Sequence, residues 1–157
     1  MAKGTPATVV LTKAGVAFRL HEYDYDPNAG RIGMQAAEAL GVSPARLLKT
    51  LMAKAGRDIV CVLVPSDREV SLKKLAAAAG AKDAAMLPPA EAERLTGYHV
   101  GGISPFGQRR RSPVFIEETA VAFESVIVNG GRRGLQIEIA PAALVGILSA
   151  KAAALVA

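Results

Sequence analysis

The sequence predicts an α+β fold: a mixed, barrel-like β-sheet core surrounded by helices. Three observations point there. Strand-like and helix-like segments alternate, yet several connections are hairpin-short, which a purely parallel sheet does not allow. Hydrophobic residues supply 51% of the chain but aromatics only 4%, with no tryptophan, so the core is ample and aliphatic. No repeat, linker or low-complexity tract interrupts the pattern, so residues 1–157 read as one domain.

Each element has a local reason. Thr5-Pro6 offers an N-cap followed by a proline at the first helical position, and Gly15 can end that helix. Val16 to Tyr23 carries the aromatic and β-branched residues of a strand. Asp24 to Gly33 is a loop broken by Pro27 and Gly30, and Met34 to Leu40 is a short helix closed by Gly41. Ser43-Pro44 starts one further helical turn. Leu47 to Ala53 and Ile59 to Val64 read as paired strands joined through Ala55-Gly56-Arg57. Leu72 to Ala79 is an alanine-rich helix stopped by Gly80. Pro88 to Leu95 is another, with Glu91 and Glu93 placed where the helix dipole favours anions. Val114 to Glu117, Phe123 to Val128 and Leu135 to Ile139 are strands, the last two joined by the turn residues Asn129-Gly130-Gly131. Pro141 to Val156 is expected as a closing helix.

Charge and cysteine content narrow the function. The net charge of +5 favours a polyanionic partner, and the basic residues concentrate in Arg109-Arg110-Arg111, Arg132-Arg133 and Lys73-Lys74. These clusters are either a solvated basic face or phosphate contacts, and two of them flank glycine motifs. The single cysteine, Cys61, excludes an internal disulfide framework and lies in a buried-strand pattern, which suits a structural thiol better than a nucleophile. His21 and His99 lack metal-ligand spacing, so no metal or cofactor is expected. No apolar run is long enough for a membrane span, and no signal-peptide pattern opens the chain, so the expected location is cytoplasmic.

Three segments carry the chemistry: Leu48-Lys49-Thr50-Leu51, Gly97 to Pro105, and Asn129 to Leu135. Lys49 is one cation in an apolar run. It either faces solvent or lines a groove where its ammonium binds a phosphate or polarises a carbonyl. Gly101-Gly102-Ile103-Ser104-Pro105 lacks the order of a phosphate-binding loop, but its amides could face a carbonyl oxygen. Ser104 has no histidine–carboxylate partner pair, so a Ser-His-Asp triad is unsupported. Asp24 and Asp26 sit in a Pro/Gly loop, where Asx-turns are the commoner use. No general base or covalent nucleophile stands out, which leaves positioning and backbone donors as the tools of any reaction.

In this order and spacing, these segments resemble the YbaK/EbsC family of aminoacyl-tRNA deacylases, relatives of the editing domain inserted in bacterial prolyl-tRNA synthetases. The matching residues include His21-Glu22-Tyr23 with Asp26-Pro27, Lys49-Thr50-Leu51, Leu72-Lys73-Lys74, Thr96-Gly97-Tyr98, Gly101 to Pro105 with Gly107-Gln108, and Gly130 to Leu135. The resemblance runs from about Thr5 to the last helix. It implies removal of a wrong amino acid from tRNA, typically cysteine from tRNA for proline, with prolyl-tRNA synthetase as a possible partner. It implies that Lys49 is the residue on which activity depends, with Gly101 and its neighbours Gly102, Ile103 and Ser104 near the scissile ester. Tyr23, Ile32, Thr50, Asn129, Gly134 and Gln136 would complete the substrate pocket, and Arg109, Arg110, Arg111, Arg132 and Arg133 would contact tRNA. In cysteine-specific members the substrate's own thiol attacks its ester, which fits the missing nucleophile. Two positions depart from the family pattern: Asn129 replaces a serine of cysteine-specific members, and Ile32 stands where an aromatic residue is common. The rival expectation is a non-catalytic tRNA- or nucleotide-binding module, or a deacylase of other specificity that uses water.

Overall fold

The computed structural model describes residues 4–26, 28 and 32–157, with the side chain of Ile32 outside that description. Helix α1, Pro6–Ala14, begins in a reciprocal cap: the Thr5 hydroxyl accepts from the Thr8 amide, and the Thr8 hydroxyl accepts from the Thr5 amide. Strand β1 covers Arg19–Glu22 and helix α2 covers Ile32–Leu40. Strands β2, Leu48–Ala55, and β3, Asp58–Pro65, form an antiparallel hairpin in which Lys49 faces Val64 and Leu48 faces Pro65. Helix α3, Leu72–Ala79, is capped by Ser71, whose hydroxyl accepts from the Lys74 amide at 3.2 Å. A short strand β4, Ala84–Met86, and helix α4, Pro89–Thr96, precede strand β5, Val114–Glu117. A 3-10 turn over Glu118–Ala122 leads to strands β6, Val126–Asn129, and β7, Leu135–Ile139, then to helix α5, Pro141–Leu148, and strand β8, Lys151–Ala153.

Two sheets result. One runs β1-β7-β6, all antiparallel; the other runs β4-β2-β3-β5-β8, with β5 parallel to both β3 and β8. They meet at one parallel bridge, Leu47 to Ile127, where the Ile127 amide donates to the Arg46 carbonyl. Among the described residues the strands do not close into a continuous barrel.

Alternation along the strands decides what each face buries. Leu48, Met52, Cys61, Leu63 and Ile116 of the larger sheet meet Val126, Val128, Ile137 and Ile139 of the smaller one in the main core, joined by Leu11, Phe106 and Leu144. The opposite face of the larger sheet, with Val60, Val62 and Val64, is covered by Leu75 of α3 and by Leu155. The opposite face of the smaller sheet packs Ile127 against Ala36 and Ala37 of α2. Cys61 is fully buried, and burial pushes its thiol up to about 12, with a weak donor contact from Gln108 working the other way.

The end of the chain departs from the expectation of one long helix. Residues 141–156 are alanine-rich and helix-prone, but α5 stops at Leu148 with Ser149 in the left-handed region. The chain then pairs with the open edge of β5, and the buried Glu117 carboxylate accepts from the amides of Leu155 and Val156. A tertiary edge and a buried acceptor outweigh local propensity here. The strand expected over Val16–Tyr23 shortens to Arg19–Glu22, and the one over Phe123–Val128 shifts to Val126–Asn129 behind the 3-10 turn. Strand β4 carries no alternation or β-branched residue, so its sequence does not predict a strand.

A charged cluster ties the smaller sheet to the segment before β2. The Glu138 carboxylate accepts from Ser125 Oγ at 2.5 Å, from His21 Nε2 at 2.8 Å and from Arg46 at 2.9 Å. These donors, Ser125 first, hold its acid well below the usual carboxylate range, at about 2. A depressed folded-state pKa stabilises the protein above the unfolded value and loses that contribution as pH falls toward 2. Glu138→Gln should therefore cost about 1–2 kcal/mol at neutral pH. That cost should shrink toward zero near pH 2, as denaturant melts across pH would record.

Candidate functional site

The site lies where the two sheets part. Leu47, just before β2, bridges Ile127 of β6 and the two strands pair no further, while β4 pairs only with Ala53 to Ala55. The edge of β2 from Leu48 to Leu51 is thus left without a strand neighbour on that side, and a cavity of about 520 Å³ opens along it. An open edge lets both faces of one strand contribute, so Lys49 and Thr50 line the same cavity although they point to opposite sides of the sheet. Asn129 of β6 and Gln136 of β7, directly opposite each other in the ladder, form the facing wall. Pro89 and Ala92 of α4, with Gly101 and Ile103 after it, close the third side.

Lys49 is about one-quarter exposed, and its ammonium stands 3.4 Å from the carboxylate of Glu69, itself 86% exposed. A pair with one partner so solvated is worth little, so the ammonium can exchange it for a ligand oxygen. Nothing local in the sequence singles out Glu69. The signal was available in the hairpin: with Lys49 opposite Val64, the chain leaving β3 at Pro65 must pass beside Lys49.

The glycine loop is strapped from three sides. The Glu93 carboxylate accepts from the Val100 amide at 2.8 Å, Arg133 donates twice to the Val100 carbonyl at 3.1 and 2.7 Å, and Asn129 Nδ2 donates to the Gly101 carbonyl at 3.1 Å. The Gly102 amide is spent on the His99 carbonyl at 2.8 Å, so it is not free to hold a substrate oxygen. Glycine is required at 102 by closeness: a Cβ there would lie 2.9 Å from the Arg132 backbone.

The remaining expected site residues fall into distinct groups. Thr50 and Gln136 line the cavity, and Thr50 Oγ1, Gln136 Oε1 and the Tyr23 hydroxyl are buried without a hydrogen-bond partner among the described residues. Burial raises the Tyr23 phenol, while the neighbouring Gly134 backbone and Gln136 side chain pull the other way. Gly134 accepts from the Tyr23 amide at 3.0 Å and so fixes the end of β1. Asn129 uses both ends of its amide, since its Oδ1 accepts from the Gly131 amide at 2.7 Å. Ser104 is fully buried outside the cavity, with its hydroxyl accepting from the Phe106 amide. Ile32 opens α2, and its side chain lies outside the described residues.

Arg109, Arg110, Arg111, Arg132 and Arg133 are all exposed, and none lines the cavity. Arg133, besides its bonds to Val100, stacks over the Tyr25 ring at 5.2 Å. Arg132 stands 3.6 Å from Glu22. The two arginines that flank the glycine loop therefore have structural engagements, whereas Arg109 and Arg110 project from the segment that follows α4.

Comparison with known proteins agrees with this architecture. Residues 27–147 match the model of the aminoacyl-tRNA editing domain. The chain is 36% identical over 128 residues to EbsC of Enterococcus faecalis, a protein provisionally named a Cys-tRNA(Pro)/Cys-tRNA(Cys) deacylase, covering 80% of this chain and 78% of that one. It is 36% identical over 83 residues to a proline–tRNA ligase of Caldicellulosiruptor bescii, covering 53% of this chain but only 14% of the ligase. A solved structure described provisionally as a trans-editing enzyme for prolyl-tRNA synthetase superposes with a TM-score of 0.86 at 22% identity, covering 99% of each chain.

Proposed function

The chain belongs to the aminoacyl-tRNA editing domain family, and from that premise we propose that it is a free-standing deacylase acting in trans in the cytoplasm, with cysteine on tRNA for proline as its substrate. The observation that carries this reading is the composition of the cavity. Among the described residues it holds one ammonium, Lys49, and one carboxylate, Glu69, and no cysteine or histidine lines it. Its two hydroxyls have no base beside them, Ser66 donating to the Leu47 carbonyl and Thr50 Oγ1 being buried, so the site is equipped to position an ester and stabilise charge on it, with the nucleophile coming from the substrate or from water.

In the cysteinyl case the substrate's Sγ attacks its own carbonyl carbon. The S–C bond forms, the ester C–O bond breaks, and the thiol's proton ends on the departing 3′ oxygen of tRNA. The products are tRNA with a free 3′-hydroxyl and a cyclic thiolactone of cysteine, which water opens. The Lys49 ammonium balances the oxyanion or the terminal phosphate, and the walls of the cavity hold the aminoacyl group bent toward closure. Intramolecular attack avoids the entropic cost of capturing a separate nucleophile.

The test is turnover on cysteinyl-, alanyl- and seryl-tRNA side by side, with product analysis. The cysteinyl ester should be cleaved at least about 100-fold faster, with thiolactone as the first product, because only it supplies the reacting group. Equal rates on alanyl-tRNA would reject the thiol route in favour of water. Glu69 would then be the carboxylate placed to take the water's proton, since Asn129 has no free amide end.

The charge excess supports tRNA as the polyanion. Affinity should fall steeply as salt rises, and reversing Arg110 and Arg132 to glutamate should flatten the slope by roughly one to two log units per log unit of salt. A tRNA affinity that ignored salt would remove the polyanion argument.

A further inference from the structure

Arg133 is exposed, yet its guanidinium is held on one edge and one face. Nε and Nη2 both donate to the Val100 carbonyl, which fixes the edge. The centre of the Tyr25 ring lies 5.2 Å from the guanidinium carbon, which fixes the plane. Gly134 brings the two side chains together. Its carbonyl accepts from the Tyr23 amide, its φ is +85°, and a Cβ there would lie 2.9 Å from the Tyr23 carbonyl oxygen. The turn that carries Arg133 therefore runs close against the segment that carries Tyr25. Arg132 pairs with Glu22, but among the described residues no carboxylate pairs with Arg133. Val100 and Gly101 line the cavity, so the stacked pair stands at its rim.

A guanidinium offers two kinds of contact: N–H groups in its plane and a flat cationic face. In Arg133 one in-plane edge is spent on Val100, and Tyr25 covers one face. Among the described residues the opposite face is left to solvent, at a fixed tilt. Such a face suits a planar, electron-rich ring, and a nucleobase is the ring that a charged tRNA carries beside its ester. We infer that Arg133, backed by Tyr25, is a stacking platform for an unpaired nucleobase, the 3′-terminal base of the tRNA whose ester lies in the cavity. This deepens the deacylase reading and rests on it for the identity of the ligand. Base and ester share one ribose, so a base stacked at the rim sets the ester's position in the cavity. Stacking reads no base edge, so the platform anchors the single-stranded end without choosing among tRNAs. A phosphate held by Arg133 would instead be attracted by charge, and its binding would be indifferent to the base.

The experiment measures binding of uncharged RNA hairpins with a single-stranded 3′ overhang, so that cleavage plays no part. One hairpin ends in adenosine and the other in an abasic ribose, with equal numbers of phosphates. Wild-type protein should bind the first at least about fivefold more tightly, the lower end of what one stacked base contributes. Arg133→Lys keeps the charge but loses the plane. Tyr25→Leu keeps Arg133 and its bonds to Val100 but removes the backing ring. Each should bring the ratio to within about twofold, while Tyr25→Phe, which keeps the ring, should preserve it. Thermal melts establish folding, and if Arg133→Lys does not fold, Tyr25→Leu decides alone. Loss of the strap on the glycine loop would weaken both hairpins equally, so a ratio unchanged in either folded variant overturns the inference. Equal binding of the two hairpins by wild-type protein, including failure of both to bind, overturns it as well. AMP that competes as strongly as the adenosine-ended hairpin would assign the platform to a free nucleotide and overturn the tRNA assignment. Base-dependent binding without any turnover of cysteinyl-tRNA would instead overturn the deacylase reading and leave the platform standing.

Discussion

Lys49→Ala should lower deacylation of charged tRNA by at least about 10²–10³-fold, the range for removing one preorganised stabiliser of developing charge. The protein should remain folded. Lys49 forms no buried pair, since its one ionic partner, Glu69, is 86% exposed, and alanine is accommodated beside the other alanines of β2. Among the described residues no other cation lines the cavity. Lys49→Arg should also be poor, because a planar fork needs more width than a compact ammonium and directs its donors differently. The measurement is single-turnover deacylation beside a thermal melt. A folded alanine variant with near-wild-type rate would reject the role of Lys49.

The largest effect on stability is expected at Gly107. Its φ is +69°, and a Cβ there would sit 2.7 Å from the carbonyl carbon and oxygen of Pro6, in the first turn of α1. Backbone cannot swing aside as a side chain can, so Gly107→Ala must displace α1 or the segment that carries buried Phe106. The left-handed conformation costs about 1–2 kcal/mol for a non-glycine residue and overpacking about 1–3 kcal/mol more, roughly 2–5 kcal/mol together. Gly80→Ala is the control. Its φ of +70° is nearly the same, but nothing lies within 4 Å of the added Cβ, so it should lose only the conformational part. The difference between the two variants in urea melts isolates the contact between Gly107 and α1. Equal losses would show that the helix yields without cost.

The hairpin of β2 and β3 was legible in sequence because its apolar run, glycine turn and second apolar run all act within 18 residues. The capped helices α1 and α3 were legible for the same reason: Thr5, Ser71 and the glycines that follow each helix are local signals. Strand β8 was not, because its only warrant is the open edge of β5, more than 30 residues earlier in the chain. Strand β4 likewise exists through three pairs with β2 and has no propensity of its own.

The candidate site divides along the same line. Lys49 within an apolar strand, and the glycine loop near it, are visible as local departures from pattern, and their joint spacing resembles that of the editing family. What Lys49 meets, and which polar groups are free, could not be read there. Glu69 reaches the ammonium through the hairpin register. Asn129, which lines the cavity, also straps the glycine loop, and so does Arg133, for which sequence suggested a phosphate contact. The sequence by itself determined the α+β class, the capped helices and Lys49 as the isolated cation of an apolar strand, because caps, periodicity and an isolated charge act over a few residues. Tertiary structure alone decided the parting of the two sheets, the fate of the last helix and the pairing state of every polar group at the site, because those depend on which distant edges and donors come within 3 Å.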